Sequence, residues 1–129
     1  MTDASRAGDE LAVAISHALV RVITEVRGRR PTTARTTIGR DAVFVVVRDT
    51  LAEAEQQLIV DGDLAAVLRQ REAWQAVMRE SFNREVEQLT RRRVIGFMSA
   101  NHVEPDVGVE VFILEPSEAD APVGEGGTA

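Results

Sequence analysis

Two short apolar runs constrain this fold most: AVFVVV at residues 42–47 and VEVFIL at residues 109–114. Both are rich in β-branched and aromatic residues, which favour strands. A strand with one face in water normally alternates polar and apolar residues, whereas these runs are apolar at almost every position. They predict strands of one sheet in which even the second face is partly covered.

The first part of the chain combines a helical pattern with a strand pattern. Apolar residues spaced by three or four predict a helix over residues 9–27, and these are Leu11, Ile15, Leu19, Val22 and Val26. We expect Gly28 to end this helix in a left-handed conformation. Two β-rich runs follow, at residues 33–38 and 42–47, and the short GRD segment between them favours a hairpin.

The second part of the chain has two helical patterns followed by two strand patterns. Thr50, with Glu53 three positions later, forms a capping box that opens a short helix. We expect Asp63 to cap a long helix over residues 64–92. Two further β-rich runs form a second hairpin, at residues 94–100 and 109–115.

The predicted element order is therefore α-β-β-α-α-β-β. Two hairpins must share one sheet to bury their apolar faces, and the long helices can cover only one side of it. The predicted class is α+β, a two-layer sandwich with helices on one face of a mainly antiparallel four-stranded sheet. Because the second face is also apolar, we expect a homodimer, with Val13 and Val20 of the first helix at its interface. The alternative is that these two valines are isolated surface residues.

Length and charge limit the organisation of the chain. Its 129 residues carry a net charge of −6 and fit one domain, expected over residues 8–116. Residues 117–129 are rich in proline, glycine, alanine and acids, so we expect an acidic disordered tail. No apolar run is long enough to span a bilayer, and the polar N-terminus lacks the features of a signal peptide. We expect a cytoplasmic protein, either free or peripheral to the membrane.

Three segments together resemble a known family. They are GRRP at the end of the first helix, IGRDAVFVVVRDTLAEAEQQL, and VIGFMSANHVEPDVGVEVFILE. In these segments the chain is similar to the small bacterial MpsC family, over about residues 8–116. The family is named for a Na+-translocating, membrane-potential-generating system, so the resemblance implies work beside membrane proteins in energy coupling or inorganic-carbon uptake. Arg30 stands where the family pattern usually has a second glycine.

The segment from residue 25 to residue 41 holds five arginines, which are Arg27, Arg29, Arg30, Arg35 and Arg40. Converging guanidinium groups can bind phosphate, carboxylate or bicarbonate. Arginines also suit a helix C-terminus and a solvated strand edge without any ligand. Both interpretations stay open at this point. Nucleic acid is not expected, because almost no aromatic residues lie beside these arginines.

Arg71 falls in the middle of the apolar stripe of the long helix, where an unpaired charge is costly. We expect it to be a buried or interface ion that pairs with Asp49, with Glu25 or with a second subunit. A contact with a ligand is the alternative interpretation.

The sequence holds no catalytic motif. It has no cysteine and no tyrosine, and it lacks a glycine-rich phosphate loop and a zinc motif. His102, Glu104 and Asp106 alternate in one loop, but three ligands without a fourth are weak support for a metal site. Nothing supports an enzyme, a metal or a cofactor. We therefore predict a non-enzymatic accessory or regulatory protein of a membrane energy-coupling, ion or inorganic-carbon uptake system, with a membrane protein as partner. The alternative is a soluble sensor of small anions that uses the arginines from Arg27 to Arg40.

Overall fold

A computed structural model describes residues 3–116, and the segment 117–129, for which disorder is predicted, lies outside the described residues. Within that range the elements follow the predicted order α-β-β-α-α-β-β. The helices are α1 (Asp3–Arg27), α2 (Glu53–Val60) and α3 (Leu64–Thr90). The strands are β1 (Thr33–Ile38), β2 (Ala42–Arg48), β3 (Val94–His102) and β4 (Val107–Leu114). The predicted α+β class is confirmed.

The four strands form one antiparallel sheet in the order β1-β2-β4-β3. Both predicted hairpins are present, and the pairing of β2 with β4 joins them in the middle of the sheet. The second hairpin is tighter than predicted, because β3 continues to His102 and β4 already begins at Val107. Asn101 is a poor strand former, so sequence propensity ended β3 too early.

The hydrophobic core lies between the sheet and the two long helices. Alternate residues of β2 and β4 are buried, and the residues between them are more exposed, as in a sheet covered on one side. Ile15 and Leu19 of α1 are fully buried. The ring of Phe82 in α3 lies 6.4 Å from the rings of both Phe97 and Phe112. The helices thus cover one face of the sheet, as predicted.

Local capping chemistry sets two of the helix boundaries as the sequence predicts. Gly28 follows α1 with a φ of 71°, which suits glycine because it lacks a Cβ atom. Asp63 caps α3, and its carboxylate accepts a hydrogen bond from the N–H of Ala66 at 3.2 Å. None of the helices in the described part of the chain is long and apolar enough to cross a membrane.

The predicted capping box of Thr50 and Glu53 is wrong. The N-cap of α2 is Ala52, and the side chain of Glu55 accepts its N–H at 2.9 Å. Thr50 lies two residues before this cap and is buried, because its hydroxyl and its carbonyl group bind charged side chains from other elements.

Candidate functional site

Arg71 lies in α3 and is only 7% exposed. Its Nε donates a hydrogen bond to Oδ1 of Asn101 at 3.1 Å, and its Nη2 donates to the hydroxyl of Thr50. Its Nη1 lies 3.5 Å from Oε2 of Glu55. The guanidinium group therefore contacts β3, the segment after β2 and helix α2 at the same time.

Glu55 also binds a second arginine. Nη2 of Arg27 donates to Oε1 of Glu55 at 2.6 Å, and Nη1 of Arg27 donates to the carbonyl oxygen of Thr50 at 3.0 Å. The Arg27 guanidinium group lies 5.7 Å from the ring centroid of Trp74. Arg27, Glu55 and Arg71 form a buried ion cluster in which each side chain is less than a tenth exposed. Each buried charge depends on the others for stability.

The partner carboxylate of Arg71 differs from the residues that the sequence analysis proposed. Asp49 and Glu25 are both exposed, and the Asp49 carboxylate accepts a hydrogen bond from Thr32 instead. Glu55 was missed because it lies in a short helix of polar composition, where glutamate is normally exposed. The packing of α2 against α3 and the contact with Arg27 place this residue in the interior.

Asp106 connects the β3–β4 turn to the same region. Its Oδ2 accepts the N–H of Leu51 at 2.8 Å, and the hydroxyl of Thr50 donates to its Oδ1 at 3.4 Å. His102 is the last residue of β3, and its ring atom Nδ1 lies 2.9 Å from the carbonyl oxygen of Pro105. Among residues 3–116, no group of three or more histidine, cysteine, aspartate or glutamate residues is arranged to hold a metal ion.

Glu110 is a second buried carboxyl group, on the helix-covered face of β4. It is 6% exposed and lies directly opposite Ser99 of β3. Burial raises the pKa of Glu110 to about 7, although the Ser99 hydroxyl and the charge of Arg71 act in the opposite direction. A carboxyl group with this pKa binds and releases a proton near neutral pH.

A small cavity of about 30 Å³ lies against Glu110, Arg71 and Trp74. Oε2 of Glu110, Nη1 of Arg71 and Nε1 of Trp74 are buried and have no hydrogen-bond partner among the described residues. A cavity of this size has room for one or two water molecules, which can bridge such atoms. Glu110 can therefore hold a proton at this cavity. The buried ion cluster beside it connects the three helices to one end of the sheet.

Glu110 was not predicted as a buried carboxyl group, although the sequence holds a signal for it. Glu110, Phe112 and Leu114 are alternate residues of β4, and Phe112 and Leu114 are fully buried. Residues two apart in a strand share a face of the sheet. A glutamate in that alternation therefore indicates a buried carboxyl group, but the run was interpreted only as apolar on both faces.

The structure separates the five arginines that were predicted to bind an anion. Arg27 belongs to the buried ion cluster, and Arg40 lies in the turn between β1 and β2. Arg29 follows α1 and is exposed. Arg30 and Arg35 are the two that line one common groove.

This groove lies at the β1 edge of the sheet and has a volume of about 660 Å³. Arg48, the last residue of β2, and His17 of α1 also line it. Arg35 pairs with Val46, and Arg48 lies two residues further along the same strand. Both arginine side chains therefore belong to the face of the sheet that the helices do not cover. The contribution of Arg48 depends on the hairpin register, which the sequence analysis did not specify.

The two valines that were predicted for a dimer interface lie on α1 beside this groove. Val13 is 53% exposed, whereas Val20 is half-buried and lines the groove. Val13 and Val20 thus border the edge of the sheet at β1.

The face of the sheet opposite the helices is apolar across β2, β4 and β3 beside Arg35 and Arg48, and no element within residues 3–116 covers it. Phe44 lies opposite Val111, and Val111 lies opposite Met98, so these three side chains form a row across three strands. Phe44 and Met98 are 41% and 55% exposed. A second row across the same strands consists of Val46, Val109 and Ala100.

A comparison with protein-family models agrees with the resemblance found in the sequence. The model described as "Na+-translocating membrane potential-generating system (MpsC)" matches residues 8–116. No curated protein and no solved structure matches the chain.

Proposed function

The chain belongs to the MpsC family, and from that premise we propose that it is a non-enzymatic accessory or regulatory protein of a membrane system that couples energy to the uptake of ions or inorganic carbon. The observation that carries this proposal is the uncovered apolar face of the sheet. Exposed apolar patches of this kind serve contacts between proteins. We place the protein in the cytoplasm, beside a membrane protein partner.

The occupant that we propose for this sheet face is a second copy of the chain. Across β2, β4 and β3 the Phe44 row and the Val46 row contain no charged residue, so this part of the face can contact the same part of a second copy around a two-fold axis, while Arg35 and Arg48 lie on its β1 side. Four strands about 4.8 Å apart, over about six residues, give a face of roughly 15 to 20 Å on each side. Two such faces bury roughly 450 to 800 Å² in total, which is less than the roughly 1,200 Å² of a stable dimer, so the contact needs further surface. Val13 and Val20 extend the contact beyond β1.

The dimer is tested by sedimentation at micromolar concentration. The parent protein is expected to be a dimer, and the double variant Phe44→Asp/Met98→Asp is expected to be a monomer, because two carboxylates in each apolar face oppose its burial. Val77→Asp is the control for an added carboxylate on another exposed surface, since Val77 is 63% exposed on α3. A monomeric parent protein, or a dimeric Phe44→Asp/Met98→Asp variant, contradicts the proposed interface.

The accessory role is tested in cells that lack this protein. Loss of the protein is expected to lower the membrane potential, measured with a voltage-sensitive dye, and expression of the parent or of Val77→Asp is expected to restore it. The variant Phe44→Asp/Met98→Asp is expected not to restore it. A membrane potential that is unchanged by loss of the protein argues against the proposed role.

A second function that we propose is the sensing of a small anion by the arginines of the segment from Arg27 to Arg40. The specific observation in its favour is that Arg30 and Arg35 line the same groove. Anion binding to the folded state raises the melting temperature in a saturable way. A melting temperature that is equal in phosphate, bicarbonate, chloride and sulfate at matched ionic strength contradicts this second function.

A further inference from the structure

We propose that the groove at the β1 edge binds an anion that carries phosphate and at least two negative charges, through Arg30, Arg35 and Arg48. This inference rests on the anion-binding function proposed second above, and it names the residues and the class of ligand. It adds Arg48 and leaves out three of the predicted arginines, because Arg27 is bound to Glu55, Arg29 does not line the groove and Arg40 lies at the other end of β1.

The three arginines of the groove are exposed and have no ionic partner in the described part of the chain. No carboxylate among residues 3–116 lies within ion-pair distance of the side chains of Arg30, Arg35 or Arg48. The chain as a whole carries a net charge of −6, so acidic residues are abundant elsewhere. This groove therefore concentrates positive charge on the surface of an acidic chain, with three guanidinium groups that have no counter-charge beside them.

The hairpin register brings two of these groups together. Arg35 of β1 lies opposite Val46 of β2, and Arg48 is two residues beyond Val46. Diagonal neighbours of this kind are about 7 to 8 Å apart in an antiparallel sheet. Arg30 joins them from the segment that follows α1, directly before the buried Pro31. An anion between the three groups would reduce the repulsion of their like charges.

The chemistry of the groove selects phosphate among the anions. The planar guanidinium group binds two phosphate oxygens at once, and three such groups can serve two phosphates. A groove volume of about 660 Å³ lies in the range for small organic ligands and exceeds what a single inorganic ion needs. Val20 and Val46 supply an apolar wall for the organic part of a phosphate ester.

Two sources can supply this chemistry: a soluble phosphate ester and the headgroup of an anionic phospholipid. Two probes separate them, inorganic pyrophosphate and vesicles that contain cardiolipin. Vesicles of phosphatidylcholine alone serve as the reference for lipid binding. Both sources require the same three arginines, so the same variants apply to both measurements.

The test compares the parent chain with Arg35→Gln/Arg48→Gln and with the control Arg69→Gln/Arg93→Gln, which removes the same charge from exposed positions elsewhere. For the parent and the control we expect pyrophosphate to raise the melting temperature. The pyrophosphate concentration that gives half of this rise, the midpoint concentration, should agree within twofold between the two proteins. For Arg35→Gln/Arg48→Gln we expect the midpoint concentration to rise at least tenfold. Cosedimentation with cardiolipin vesicles should fall by a similar factor if the ligand is a lipid headgroup. All melting temperatures are measured at constant ionic strength.

The outcomes distinguish this site from the broader anion-binding function. Stabilisation by pyrophosphate that survives in Arg35→Gln/Arg48→Gln overturns the groove but leaves anion sensing intact. A parent protein that responds to no tested anion and binds no cardiolipin vesicle overturns both. A response to pyrophosphate alone identifies a soluble ligand, and a response to vesicles alone identifies a lipid headgroup. Equal melting temperatures of the two double variants without ligand verify that both are folded.

Discussion

Oε1 of Glu55 lies 2.6 Å from Nη2 of Arg27, and both side chains are less than a tenth exposed. The other carboxylate oxygen of Glu55 lies 3.5 Å from Nη1 of Arg71. One carboxylate of the short helix α2 therefore lies between guanidinium groups from both long helices. This arrangement makes α2 an ionic link between α1 and α3.

We expect Glu55→Gln to destabilise the fold strongly. Without the carboxylate, Arg27 and Arg71 become two buried cations with no counter-charge between them, and the loss of one partner of a buried ion pair costs about 3 to 5 kcal/mol. Urea unfolding measures the change in free energy. Glu53→Gln is the control, because Glu53 is exposed in the first turn of the same helix and should change stability by less than about 0.5 kcal/mol. Equal effects of the two changes would show that the cluster does not stabilise the fold.

Because the pKa of Glu110 is raised in the folded chain, we expect the stability of the fold to depend on pH. The pKa of this carboxyl group is about 7 in the folded chain, against an ordinary value of 4.5. Between these values the folded state binds a proton that the unfolded state has released, so stability falls as pH rises from 4.5 to 7. The difference of 2.5 between the two pKa values corresponds to a loss of about 3 kcal/mol.

The variant Glu110→Gln removes this ionisation. We expect it to lose the fall in stability across this pH range and to exceed the parent protein in stability at pH 8. Unfolding by urea at several pH values measures both effects. Glu104→Gln, an exposed change in the neighbouring turn, should retain the pH dependence of the parent. If the free energy of unfolding changed with pH in the same way for Glu110→Gln and the parent, the pH dependence would not come from Glu110.

The fold was predictable from sequence because its signals are local. The periodicity of apolar residues in α1, the left-handed position of Gly28 and the cap at Asp63 each depend on a few neighbouring residues. The order of two hairpins around two helices then leaves few ways to bury apolar surface. The class and the antiparallel sheet follow from these constraints.

The site was less predictable because its contacts are distant in sequence. Arg71 was recognised as a buried ion, but Glu55 reaches it only through the packing of α2. Arg48 joins Arg35 only through the register of β1 against β2, and a shift of one residue would turn its side chain to the other face. Sequence periodicity shows which residues face inward, and it does not identify which inward-facing charges meet.

The proposed role of Val13 can be tested separately from the sheet face. Val13 is 53% exposed, so Val13→Asp should leave the stability of the single chain nearly unchanged. If α1 extends the dimer contact, burial of the new carboxylate should weaken the dimer at least about tenfold, which corresponds to about 1.4 kcal/mol. Sedimentation over a range of concentrations measures this change. A dimer as tight as the parent would place Val13 outside the interface.

The charges of Arg71 and Glu110 are coupled. Burial lowers the pKa of Arg71, and the neighbouring Arg27 lowers it further, while the positive charge of Arg71 in turn lowers the pKa of Glu110. Arg71→Met leaves Glu55 paired with Arg27, so it should cost less than Glu55→Gln, about 1 to 3 kcal/mol for the lost hydrogen bonds. It should also raise the pKa of Glu110 above that of the parent, which moves the loss of stability to higher pH. Arg71→Lys keeps the charge, so the pH at which half of this stability is lost, the midpoint, should stay near that of the parent. A midpoint that stays the same or falls in Arg71→Met would show that these two groups titrate independently.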